Sequence, residues 1–284
     1  MLFSARQYKF SFPRPALVMG IVNVTPDSFS DGGKSLDTNG AVERALKLAS
    51  QGAEILDIGG ESTRPGAVSV SEEEELSRVI PVIKGLAAAF KTSKAVAPAI
   101  SIDTMKPAVA RAALEAGASI VNDVAAGHSG PEMWQIIRDF QAGYVVMHAP
   151  PGLHDKQPGP EDVVDTVNAF FSARLNALTA FGVTAEQIVF DPGIGFGKNL
   201  EQNLRIMALL GSFLRLRRPL LLGVSRKSFI EKIFASEVNE RLPASLACAI
   251  LGIEAGAAIV RAHDVAETVQ AVRMAEAVLR RRTL

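Results

Sequence analysis

The chain has 284 residues, 48% hydrophobic and 21% charged, with 30 basic and 30 acidic side chains that cancel. This is an ordinary globular composition with ample core, and its neutral balance argues against a nucleic-acid partner, though not against a local cationic pocket for a small anion. A single cysteine, Cys248, excludes an intrachain disulfide framework, no run of about 18 apolar residues offers a membrane span, and residues 1–12 lack a secretory apolar core, so a soluble, cytoplasmic protein is expected.

Residues 6–13 alternate aromatic and polar side chains (Tyr8, Phe10, Phe12), the pattern of a small hairpin or of a plug closing one end of the fold. Residues 16–22 form an apolar strand that ends in Asn23 and a polar, Gly-rich loop reaching residue 33. Ala41, Ala45, Leu48 and Ala49 have helical spacing, which predicts a helix over 38–51 with Gly52 as its stop. A second strand, 54–58, runs into Gly59, Gly60, Glu61, Ser62, Thr63, Arg64 and Pro65. Ser71 with Glu74 is a capping-box signature for a helix over 71–90, and the acidic first turn suits a helix N-terminus.

Six further strands are expected over 98–102, 119–121, 144–147, 187–190, 219–224 and 257–260, with helices over 107–116, 131–141, 161–181, 200–210, 243–255 and 265–282. The eight repeated strand–helix units imply a parallel sheet, and in this length they match a closed α/β (β/α)8 TIM barrel. It forms one domain, residues 16–284, behind an N-terminal extension, residues 1–15. An open doubly wound sheet is the alternative; its dinucleotide-binding version is disfavoured because the first strand–helix turn lacks G-x-G-x-x-G.

In such barrels the active site lies at the C-terminal rim of the strands. Here the strand ends carry Asn23, Thr63 with Arg64, Asp103, Asn122, His148, Asp191, Ser225 to Lys227, and Arg261 with His263. A single Asp or Asn before a helix is more often a cap than a ligand, but so many at one mouth resist that explanation, and Arg64, Lys227 and Arg261 cannot cap an N-terminus. Arg261, His263, Arg64, Asn23 and Thr63 come from neighbouring strands and suit a phosphate or pyrophosphate, with Asn23 able to offer an oxygen to Mg²⁺. Asp103, Asn122, Asp191 and Lys227 suit a flat heterocycle with ring N–H and amino donors. The residues therefore describe a pocket for a nitrogenous heterocycle carrying a phosphate group.

Over essentially its whole length the chain resembles the dihydropteroate synthase family. The resemblance rests on M-G-I-V-N-V-T-P-D-S-F-S-D-G from Met19, D-I-G-G-E-S-T-R-P-G from Asp57, S-I-D-T from Ser101 and V-N-D-V from Val121. It continues in D-P-G-I-G-F-G-K from Asp191, S-R-K-S-F from Ser225 and R-A-H-D-V from Arg261. It implies condensation of 6-hydroxymethyl-7,8-dihydropterin pyrophosphate with p-aminobenzoate, by pyrophosphate loss to a pterin methylene cation and attack of the aryl amine. Asp103, Asn122, Asp191 and Lys227 would hold the pterin. Asn23, Thr63, Arg261 and His263 would hold the pyrophosphate, with Mg²⁺ at Asn23. Arg64, Pro65, Phe196, Lys227 and Ser228 would border the p-aminobenzoate. The catalytic set would be Lys227, Arg261, His263, Asp103 and Arg64.

The resemblance also implies a homodimer, sulfonamides competing with p-aminobenzoate, and loops 25–33 and 193–198 closing over the reacting centre. Alanine at Lys227 or Arg261 is expected to abolish turnover and leave the fold intact. One departure is the stretch Ala149-Pro150-Pro151-Gly152 after His148, which two prolines stiffen. A pterin-binding methyltransferase is the nearest rival, but it has no need of the phosphate set around Arg261 and His263. A non-catalytic descendant would have eroded Arg64, Lys227 or Arg261. An aldolase with Lys227 as Schiff base would not explain Asp103, Asn122 and Asp191 together.

Overall fold

The computed structural model describes residues 1–24, 34–63, 67–92, 96–126, 130–150 and 163–281. Eight parallel strands make the central sheet: β3 (Leu17–Asn23), β4 (Ile55–Gly59), β5 (Ala99–Asp103), β6 (Ile120–Asp123), β7 (Gly143–Met147), β8 (Ile188–Asp191), β9 (Leu221–Gly223) and β10 (Ile259–Ala262). Their order is β8-β7-β6-β5-β4-β3-β10-β9, and a parallel bridge between Phe190 and Leu220 joins the two ends into a closed ring. Helices cover its outside: α1 (Lys34–Ser50), α2 (Glu72–Thr92), α3 (Pro107–Ala116), α4 (Pro131–Phe140), α5 (Val163–Phe181), α6 (Leu200–Ala208), α7 (Ser228–Phe234), α8 (Leu242–Glu254) and α9 (Val265–Leu279). The expected (β/α)8 barrel is the fold observed.

Side chains alternate between the helix layer and the barrel interior, as the two-residue strand period requires. Leu17, Met19, Ile55, Ala99, Ile120, Val145, Val189, Leu221 and Ile259 form one buried apolar layer inside the ring. The interior positions two residues further along read Ile21, Asp57, Ser101, Asn122, Met147, Asp191, Gly223 and Arg261. One end of the barrel is thus filled with hydrocarbon and the other with polar groups.

The apolar end is plugged. β1 (Leu2–Ala5) and β2 (Tyr8–Ser11) pair antiparallel, and Phe3, Ala5 and Phe10 join the interior layer. A methyl group at Gly143 would lie 2.6 Å from the Phe3 ring, so the start of β7 has no room for a side chain. Arg6 Nη1 donates to the carbonyls of Leu114 and Ala118 at 2.7 Å each, tying the hairpin to the turn before β6. The hairpin and plug readings of the N-terminus are both realised.

Most strands extend a residue or two beyond their expected ends, because rim residues such as Asn23, Asp103 and Asp191 still share the ladder. The predicted Ser71 cap is present, with its Oγ accepting the Glu74 amide at 3.2 Å. The expected helix 200–210 ends earlier, at Ala208, and passes into a 3-10 turn, Leu210–Leu216, that stops at left-handed Arg217.

Candidate active site

The polar layer is a connected network built around Asp57. This carboxylate is fully buried on β4 and accepts Arg261 Nε at 2.6 Å and Asn122 Nδ2 at 3.0 Å through Oδ2. Arg261 Nη2 donates to Asp103 Oδ2, also at 2.6 Å, so one guanidinium spans two carboxylates. Two buried acids this close need a shared cation, since an uncompensated interior charge costs several kcal/mol. Arg261 therefore belongs to both halves of the pocket, where sequence reading placed it only with the phosphate set. Burial raises Asp103 to about 7, against the pull of Arg261 and with repulsion from Asp57. Asp57 and Asp103 together hold the Arg261 guanidinium firmly protonated despite its burial.

Asn23, Gly59, Asp103 and Asn122 share one register level across β3 to β6. A methyl at Gly59 would lie 3.8 Å from Asp103 Oδ2 and 4.0 Å from Asn23 Oδ1. Glycine at 59 thus keeps a side chain from packing against these two oxygens.

On the opposite wall, Asp191 and Lys227 converge over Gly223, whose added methyl would lie 3.9 Å from Asp191 Oδ2 and 3.7 Å from Lys227 Nζ. Asp191 Oδ1 accepts the Gly193 amide at 2.7 Å. Burial raises the Asp191 carboxyl, with Lys227 first among the groups pulling it back. Burial likewise lowers the Lys227 ammonium to about 8, Asp191 opposing. Lys227 Nζ donates to the Ile194 carbonyl and lies 4.7 Å from the centroid of the Phe196 ring. Lys227 stands at the position before α7 without a side-chain capping bond, and Ser228 is the helix's exposed first residue.

His263 sits at the end of β10, its Nδ1 3.0 Å from Ser225 Oγ and its amide donating to the same oxygen at 3.2 Å. Next to these residues, Arg226 and Asp264 form a two-point ion pair that ties the turn after β9 to the turn after β10. Arg226 is left-handed (φ 58) and is held there by Ser245 Oγ on its amide, 2.9 Å, and Arg241 on its carbonyl, 3.1 Å. Thr63 lies at the end of the loop leaving β4; Arg64, Pro65 and loop 25–33 lie outside the described residues.

That β4 loop is braced by Lys106, which donates to Glu61 and to the fully buried Glu75 at 2.5 Å each. His148 is buried and packs edge-on against Phe170, 5.0 Å between centroids. Ala149 is buried beside Val124, Met147 and Phe196, while residues 151 and 152 lie outside the described region.

A family model described as "Pterin binding enzyme" matches residues 19–263. The dihydropteroate synthase of Escherichia coli (strain K12) is 44% identical over 264 residues, 92% of this chain and 91% of its own. A structure of Xanthomonas albilineans dihydropteroate synthase with 4-aminobenzoic acid superposes with a TM-score of 0.89 at 42% identity, covering 98% of each chain. Another from the same organism, in complex with 7,8-dihydropteroate, gives 0.87 at 40% identity, covering 98% of this chain and 99% of that one. The chain belongs to the pterin-binding enzyme family and, within it, to the dihydropteroate synthases.

Proposed function

We propose that the chain condenses 6-hydroxymethyl-7,8-dihydropterin pyrophosphate with p-aminobenzoate, giving 7,8-dihydropteroate and pyrophosphate. The observation that carries this reading is the two-walled mouth, in which Arg261 joins a heterocycle-binding set to a phosphate-binding one. Asp103, Asn122 and Asp191 offer acceptors to the ring N–H and amino groups of the pterin, and Lys227 donates to its carbonyl or ring nitrogen. His263, Arg261, Asn23 and Thr63 face the pyrophosphate. Arg64, Pro65, Phe196, Lys227 and Ser228 border the aryl amine.

The chemistry needs no covalent nucleophile. The pterin ring spreads the positive charge left on the methylene as pyrophosphate departs. Arg261 and His263 neutralise the leaving group as its charge develops, which is where fixed cations contribute most. Phe196 and Lys227 fix the amine of p-aminobenzoate near the methylene, so that positioning substitutes for basicity.

Magnesium fits the donor chemistry here. Among the described residues no cluster of three His, Cys, Asp or Glu could cage a metal. The Asn23 oxygen, against which residue 59 packs no side chain, suits an ion that keeps its waters and arrives with substrate phosphates. Asn23 would hold it, and bound there it would supply charge neutralisation to the pyrophosphate.

The pH dependence of dihydropteroate formation tests the site. Asp103 must be ionised to accept from the pterin and Lys227 protonated to donate. With Asp103 near 7 and Lys227 near 8, kcat/KM should rise to a narrow maximum between those values and fall on both sides. Asp103→Asn should remove the acid limb from the residual rate. A profile flat from about pH 6 to about pH 9 would contradict the assignment.

We also propose a homodimer. Phe234 of α7, Leu251 of α8, and Met274 and Val278 of α9 expose large apolar side chains on consecutive helices, a surface suited to a second copy. We also propose a cytoplasmic location; no helix among the described residues is long and apolar enough to cross a membrane.

A further inference from the structure

Lys198 stands at the end of the glycine-rich turn between β8 and α6 and is 9% exposed. Among the described residues its ammonium makes no carboxylate ion pair. It donates instead to three main-chain carbonyls: His148 at 3.1 Å, Gly193 at 2.9 Å and Phe196 at 3.1 Å. These carbonyls come from the end of β7 and from both arms of the turn. The Gly193 carbonyl also accepts the Phe196 amide at 3.1 Å, so the ammonium ties a turn that is already hydrogen-bonded to the end of β7.

The turn is wound around this cation. Gly193, Gly195 and Gly197 have φ of 67°, 85° and 62°, conformations that L side chains rarely adopt. A methyl at Gly193 would lie 2.0 Å from the His148 carbonyl, so the backbones of β7's end and of this turn are in direct contact. Asn203 completes the fold of the turn by accepting the Gly195 amide at 2.7 Å and donating to the Lys198 carbonyl at 3.2 Å. Three groups of the site hang on the result. The Gly193 amide reaches Asp191, and the Ile194 carbonyl and the Phe196 ring both meet Lys227.

We infer that Lys198 is a positioning residue for the condensation, holding the Ile194 carbonyl and the Phe196 ring in place as the wall of the p-aminobenzoate subsite. The inference rests on the functional reading above. It also changes the expected behaviour of this loop: residues 193–198 are built in place around a buried ammonium, not left free to close. Ile194 is fully buried and Phe196 nearly so. Burial pushes the Lys198 ammonium down to about 7; Asp191 of β8 acts to restore it and Lys227 of the β9–α7 turn to lower it further.

The test uses Lys198→Met, which keeps the volume of the stem and removes the donors. With both substrates and Mg²⁺, its KM for p-aminobenzoate should rise by about tenfold or more, since small misplacements in a site are costly. Its KM for the pterin pyrophosphate should rise clearly less, because Asp191 and Lys227 are also held by β8 and by the start of α7, and loss of folded enzyme cannot produce such a split. Rescue separates position from packing. Lys198→Cys in a Cys248→Ala background, aminoethylated with 2-bromoethylamine while unfolded and then refolded, restores an ammonium of almost the same reach.

That protein should regain a p-aminobenzoate KM within about threefold of the Cys248→Ala parent. An unchanged KM in folded Lys198→Met would overturn the inference. So would an aminoethylated protein that recovers its melting temperature and not its KM. Absence of turnover in the wild-type control would instead overturn the functional reading.

Discussion

Arg261→Ala should abolish dihydropteroate formation and destabilise the protein at the same time. Loss of a charge aimed at a developing anion typically costs about 10²–10³ in kcat, and here the same guanidinium also holds the pterin-side acids. The stability term follows from Asp57 and Asp103, which both bond to Arg261 and share no other cation at bonding distance among the described residues. Breaking a buried pair by removing one partner costs about 3–5 kcal/mol. The sequence reading expected this variant to keep its fold intact; the buried Asp57 is the reason that expectation changes.

A pH signature accompanies the loss. In the variant, Asp103 rises further above its ordinary value of 3.8, because the largest opposing influence is gone. The native state then binds a proton that the unfolded chain has released, so stability falls as pH rises from about 4 through the raised value. Urea melts of the variant should give a lower midpoint at about pH 8 than at about pH 6. Arg261→Lys, which keeps a charge and loses the fork, should recover more stability than turnover. Wild-type kcat in Arg261→Ala would sink the pyrophosphate assignment, and an unchanged urea midpoint would sink the network argument.

Lys227→Ala should be as damaging to turnover and harmless to the fold. Its ammonium is already disfavoured by burial, and its contacts are one carbonyl, one aromatic face and the nearby Asp191. Removing it frees the chain from holding that charge, which offsets the lost contacts. Turnover should fall about 10²–10³-fold, with pterin binding weakened as well, because the donor to the ring is gone. Asp191 loses the cation that most restrains its upward shift, so it should carry a proton to higher pH in the variant. Calorimetric pterin titration and a thermal melt check both halves. Native-like pterin affinity, or a collapsed melting temperature, would contradict the placement of Lys227.

The rim positions were readable in the sequence because composition changes sharply where each strand ends. Asn23, Asp103, Asn122, Asp191 and Arg261 all sit where an apolar run stops. Asp57 lies inside an apolar run and not at its end, although a carboxylate inside I-L-D-I-G at an inward position is itself a signal. That Arg261 bonds to Asp57 and Asp103 depends on register around a closed ring, which no local pattern reports. Lys198 was invisible for a different reason. Its partners are backbone carbonyls contributed by two separate strands' ends, and carbonyls carry no residue identity. The Arg226–Asp264 pair, each member beside a rim residue, likewise needs the turns after β9 and β10 to be known neighbours.

The most direct measurement is stoichiometry. Purified protein is supplied with Mg²⁺, the dihydropterin pyrophosphate and p-aminobenzoate, and dihydropteroate and pyrophosphate are quantified together, with Arg261→Ala alongside. The account predicts equal amounts of the two products from the wild type, no dihydropteroate when p-aminobenzoate is withheld, and a rate lower by about a hundredfold or more from the variant. Pterin that binds tightly and yields no dihydropteroate in the complete mixture would contradict it.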